Sequence, residues 1–118
     1  MTQSFRSVGK NDGEVQSVVA DALAVENAGA FAVVVEAVRL DLSTQLEAAV
    51  KIPTIGIGAG PLCDGQILVA EDMLGFFEGN PKFVRRYAEL GHLVQEAVTR
   101  YADDVRSGAF PSEKESYK

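Results

Sequence analysis

Apolar and polar positions along the chain switch between two periods, about 3.6 and about 2 residues, and each switch marks an element. From Glu14 to Ala28, the apolar residues Val15, Val18, Val19, Ala22 and Leu23 recur at helical spacing. Gly29 stands where a helix normally stops, and Asp12 is the expected cap at its start. Phe31-Ala32-Val33-Val34-Val35 is a continuous apolar run, too short for a helix and rich in β-branched residues, which predicts a strand buried on both faces. The run ends at Glu36. Asp41 is the expected cap of a second helix from about Leu42 to Val50, with Leu42, Leu46, Ala49 and Val50 inside, and Ile52-Pro53 breaks it.

A second strand is predicted over 54–58, where Ile55 and Ile57 alternate with small residues before the cluster Gly58-Ala59-Gly60. Gln66-Ile67-Leu68-Val69-Ala70 reads as a third. Asn80-Pro81 has the form of a cap followed by proline in the first turn. Phe83, Val84, Tyr87, Leu90, Val94, Val98, Tyr101 and Val105 then predict one long helix to Gly108. Residues 1–12 and 109–118 are expected to be loosely ordered ends of a single domain, 1–118.

This order is an α/β pattern, and buried-type strands in such a pattern pair in parallel. Three strands cannot close a barrel, so a sheet of this size standing alone has two unprotected edges and invites association.

With 11 Lys and Arg against 17 Asp and Glu, the net charge of −6 and the lack of a basic run exclude nucleic acid and an anionic membrane surface as expected partners. Cys63 is the only cysteine, so no internal disulfide forms, and no Cys and His cluster offers a metal site. The amino terminus has no signal-type apolar run, and the expected location is the cytoplasm.

Candidate chemistry is sparse. Glu36 ends a strand, and in parallel α/β folds that end faces the site, so its carboxylate is placed to move protons; a solvated strand terminator is the plain alternative. Gly56-Ile57-Gly58-Ala59-Gly60-Pro61 departs from the dinucleotide fingerprint, because proline takes the last small position and no helix follows. The cluster is either a wall that lets a ligand approach or simple close packing. Asp64, Glu71 and Asp72 match no dedicated cation loop and read as structural. His92, Tyr87 and Tyr101 fall in the helical pattern, with core packing expected for the tyrosines.

Taken together, Ala28-Gly29-Ala30-Phe31-Ala32-Val33-Val34-Val35-Glu36, Ile52 to Pro61, Cys63-Asp64-Gly65-Gln66, Asp72-Met73-Leu74-Gly75, Pro81-Lys82-Phe83-Val84 and Arg86-Tyr87-Ala88 resemble the ketopantoate hydroxymethyltransferase family over nearly the whole chain. The resemblance implies the carboxyl-terminal part of a TIM-type β/α barrel, three parallel strands with packed helices, completed by association. It implies transfer of a one-carbon unit from methylenetetrahydrofolate to 3-methyl-2-oxobutanoate, with magnesium, to give ketopantoate. Glu36 matches the family's proton-exchanging glutamate, and Gly56, Gly58, Ala59 and Gly60 become a substrate-pocket wall. Neither magnesium nor the folate has identifiable ligands here, since the family's metal-binding acids belong to the half without a counterpart. Arg39 stands where the family usually has proline. The implied partners are the keto acid and either further copies or a separate amino-terminal half. The other reading is a non-catalytic half-barrel association module that has lost the metal site.

Overall fold

Residues 6–118 are described by the computed structural model. Their elements are α1 (Asp12–Asn27), β1 (Val33–Glu36), α2 (Leu40–Ala49), β2 (Thr54–Ile57), β3 (Gly65–Gln66), α3 (Ala70–Met73), α4 (Leu90–Ser107) and a short 3₁₀ turn at Glu113–Glu115. They fall into two units, one running through Val69 and including Asn80–Val84, the other comprising Ala70–Gly79 and Arg85–Lys118.

In the first unit, α1 opens on a reciprocal cap. The Asn11 side chain accepts from the Glu14 N–H at 2.9 Å, and the Glu14 carboxylate accepts from the N–H groups of Gly9 and Lys10 at 3.1 and 2.8 Å. The cap is therefore Asn11, not Asp12, which is already helical. At the other end Glu26 accepts from the N–H groups of Lys51 and Ile52, at 2.6 and 2.9 Å, and ties α1 to the turn before β2.

β1 and β2 pair in parallel with Val33 opposite Thr54 and Glu36 opposite Ile57. The first rung is the Val33 N–H donating to the Pro53 carbonyl at 2.9 Å. Phe31 lies before that rung and is 91% exposed, so the strand begins two residues later than the apolar run. Nor is β1 buried on both faces: Val35 is 4% exposed and its neighbour Val34 56%. The core formed by Val15, Ala22, Val35, Leu42 and Leu46 shows why, because α1 and α2 pack against Val35.

α2 begins at Leu40 instead of Leu42. The Arg39 carbonyl accepts the first helical bond, from Ser43, and Arg39 itself is held extended by its N–H donating to Val8. Asp41 is thus inside the first turn, paired with Arg39 at 3.2 Å, and is not the cap. β3 is also shorter than its apolar run. It pairs in parallel with β2 through Gly65 and Gln66, giving the order β1-β2-β3, and one further bond runs from the Ile67 N–H to the Gly56 carbonyl. β2 turns at Gly58 (φ 67°), which leaves Leu68–Ala70 no strand to pair with.

In the second unit, the long helix starts at Leu90 and not near Pro81, so Asn80-Pro81 caps nothing. The N–H groups of Tyr87, Leu90 and Gly91 donate to the carbonyls of Met73, Leu74 and Gly75 at 2.8 to 3.0 Å. That pairing takes the donors of the segment entering α4 and holds it against the turn after α3. A side chain at Gly91 would place its Cβ 2.6 Å from the Phe76 carbonyl oxygen, so glycine permits this close approach. α4 ends as expected at left-handed Gly108 (φ 78°). Tyr87 and Tyr101, expected in a core, are 68% and 57% exposed. Tyr101 meets Phe110 edge-on at 5.5 Å, and Ser112 and Glu115 form a capping box for the final turn. Among the described residues, no helix is long and apolar enough to cross a membrane.

Candidate active site

Glu36 is the last residue of β1, exposed, at the carboxyl end of the parallel sheet and opposite Ile57. The alternation of strand side chains puts it on the same face as Val34, away from the helix-covered face of Val35. Directly after it comes Ala37 at φ 52°, a left-handed backbone that L-residues other than glycine seldom adopt. The Ala37 N–H donates to the Ile57 carbonyl at 2.9 Å, and its own carbonyl accepts from the Val8 N–H at 2.9 Å. The Arg39 N–H then donates to the Val8 carbonyl at 3.1 Å, closing a parallel bridge between Val8 and Val38. Neither Ala37 nor Val8 carries a side-chain signal, so this feature was illegible in the sequence.

The glycine cluster lies at the end of the adjacent strand. Gly56 is buried with a hypothetical Cβ 3.0 Å from Cys63 Sγ, Gly58 lies under the Phe83 ring, Ala59 is fully buried, and Gly60 faces Leu40. The Gly60 carbonyl accepts from Gln66 Nε2 at 2.9 Å. These four residues are together at the carboxyl end of β2, and the close approaches at the glycines are to this chain's own side chains. Burial raises the Cys63 thiol above its ordinary pKa and keeps it protonated at neutral pH. Asp64 is engaged structurally: its carboxylate accepts from the Thr54 N–H and hydroxyl at 2.9 and 3.2 Å and fixes the start of β2.

A hollow of about 240 Å³ runs along β1 and is lined by Val18, Asp21, Val25, Val34 and Glu36 among others. A larger hollow, about 570 Å³ between α1 and α2, contains none of the candidate site residues. No three His, Cys, Asp or Glu side chains converge on a metal-binding position among the described residues. What the arrangement offers is one solvent-facing carboxylate, able to accept a proton, on a backbone clamped from two sides.

The family description for ketopantoate hydroxymethyltransferase matches residues 1–113. The chain is similar to 3-methyl-2-oxobutanoate hydroxymethyltransferase of Bartonella quintana, 56% identical over 114 residues, which are 97% of this chain and 42% of that protein. The enzymes of the same name from Wolinella succinogenes and Prosthecochloris aestuarii are 52% and 51% identical, over 96% and 97% of this chain and 44% and 42% of theirs. The chain therefore spans less than half the length of these curated relatives. With a match over almost all of its own length, it belongs to the ketopantoate hydroxymethyltransferase family.

Proposed function

We propose that this chain supplies the proton-exchanging carboxylate of a hydroxymethyltransferase site, one that transfers a one-carbon unit from methylenetetrahydrofolate to 3-methyl-2-oxobutanoate and yields ketopantoate for pantothenate biosynthesis. Family membership supports the reaction class. The observation that carries Glu36 into it is the position of an exposed carboxylate at the carboxyl end of a parallel strand, where α/β sites are built.

The chemistry asked of Glu36 is elementary. The hydrogen on the third carbon of the keto acid is acidified by the adjacent carbonyl. The carboxylate takes that proton, the C–H electron pair moves into the bond toward the carbonyl carbon, and the negative charge passes to the carbonyl oxygen. The enolate carbon is then a nucleophile for a one-carbon electrophile. Gly56, Gly58, Ala59 and Gly60 back the neighbouring wall, over which the side chains of Cys63, Phe83 and Leu40 pack. Magnesium, as a Lewis acid, stabilises an enolate oxygen when bound; the proposal puts its ligands in the part of the relatives outside the match. The sheet is completed there too, by a separate amino-terminal half or by further copies, to give the TIM-type barrel.

The test is deuterium exchange at the third carbon of 3-methyl-2-oxobutanoate, followed by NMR with magnesium present, using the full chain alone and combined with a polypeptide spanning the missing part of a relative. Exchange is expected in the combination. Glu36→Gln keeps the shape and removes the base, and is expected to slow exchange by about 10²-fold or more. An undiminished rate in that variant removes Glu36 from the reaction.

A further inference from the structure

We propose that Ala37 is a positioning residue for Glu36, and that the Val8 segment is the strap that holds it. The inference rests on the proposed role of Glu36 and adds how that carboxylate is aimed.

In a regular strand the N–H and the C=O of one residue point to the same neighbouring strand. Ala37 breaks that rule, since its N–H goes to Ile57 and its C=O to Val8. Sending the two groups to different neighbours requires a backbone outside the strand region, and the chain adopts φ 52° to do so. Alanine gains nothing locally from a left-handed conformation, so the surroundings must impose it. Those surroundings are the carbonyl of Ile57 at 2.9 Å on one side, and on the other the two Val8 bonds, 2.9 Å from its N–H to Ala37 and 3.1 Å to its carbonyl from Arg39. A residue so fixed sets the direction in which the preceding Cα–Cβ bond points, and the preceding residue is Glu36. Strain held by over-determined contacts next to a reacting group is the pattern expected where a side chain must be pre-aimed.

Two kinds of variant separate this role from a general need for folding. Ala37→Gly tolerates positive φ and keeps the two bonds, so it is expected to retain exchange within about twofold. Ala37→Val disfavours positive φ, and Val8→Pro removes the N–H that holds the Ala37 carbonyl. Both are expected to lower kcat for exchange by about tenfold or more while KM for the keto acid stays within about twofold, because aim is lost and the pocket is not. Thermal unfolding of each variant checks that it is folded. In the isolated chain, independently of activity, NMR scalar couplings across the Ala37 N–H and Hα are expected to report positive φ in the wild type and in Ala37→Gly, and its loss in Val8→Pro. Unchanged couplings in Val8→Pro, or unchanged kcat in both Ala37→Val and Val8→Pro, overturn the strap. Should Glu36→Gln abolish exchange while those two variants keep it, positioning fails and the proposed function stands. If Glu36→Gln has no effect, the function fails, and the couplings alone decide whether the strap sets Ala37.

Discussion

At the residue scale, Gly58 is a position where substitution is constrained twice over. Its φ of 67° disfavours any side chain, and a Cβ there would lie 2.6 Å from Cδ1 of the Phe83 ring. Gly58→Ala must therefore bear a left-handed backbone and displace a ring at once. The expected loss is about 1–3 kcal/mol of stability, read from the denaturant midpoint at unchanged slope. A midpoint equal to that of the wild type means that Phe83 moves freely and that the close approach has no structural role. How far the site can be read from sequence follows from the same two residues. A run of three closely spaced glycines announces a turn or a close approach by itself, whereas what approaches is decided by Phe83, distant in sequence and brought in only by folding. Glu36 could be placed because a strand end is a local feature. Ala37 could not, since its conformation comes from Val8 and Ile57 and leaves no trace in its own side chain.

At the element scale, periodicity found the helices and strands, and tertiary hydrogen bonds moved their ends. α4 loses its anticipated first turns because Tyr87, Leu90 and Gly91 give their N–H groups to the turn after α3. β3 stops where β2 turns away. The start of α1 was misplaced by a single residue, because Asn11 and Asp12 are both good caps and only the bond to the Glu14 N–H distinguishes them. Asn11→Ala is expected to destabilise the chain by about 1 kcal/mol, measured by chemical unfolding, while Asp12→Ala changes it less. Equal losses in the two variants remove the assignment. The same cap has a pH signature. Glu14 is held below its ordinary pKa of 4.5, chiefly by the Lys10 N–H and then by that of Gly9. A carboxylate depressed in the folded state adds stability above its unfolded pKa and loses it as pH falls through the folded value. Wild-type stability should thus fall more steeply below pH 4.5 than that of Glu14→Gln; parallel curves show that the reciprocal half of the cap is absent.

At the scale of the whole molecule, the chain corresponds to less than half the length of its relatives. Continuous apolar strands signalled burial on both faces, yet Val35 is packed into the core at 4% exposure while Val34 is left 56% exposed. A β-branched apolar residue at mid-strand, exposed beside the candidate carboxylate, is what a sheet looks like when the part of the fold that covers it lies outside the matched segment. Val34→Lys tests this. In the isolated chain a lysine at an exposed strand position changes little, within about 0.5 kcal/mol, because no buried contact is lost. In the proposed barrel the same lysine must enter a packed interior with at most the Glu36 carboxylate near it, and burying a charge there is strongly unfavourable. The variant is therefore expected to unfold like the wild type on its own, to fail to associate with the missing part of a relative in sedimentation velocity, and to show no exchange of the keto acid's hydrogen. Association and exchange at wild-type levels mean that this face stays open to water in the working protein, and the second layer of the sheet must then be sought elsewhere.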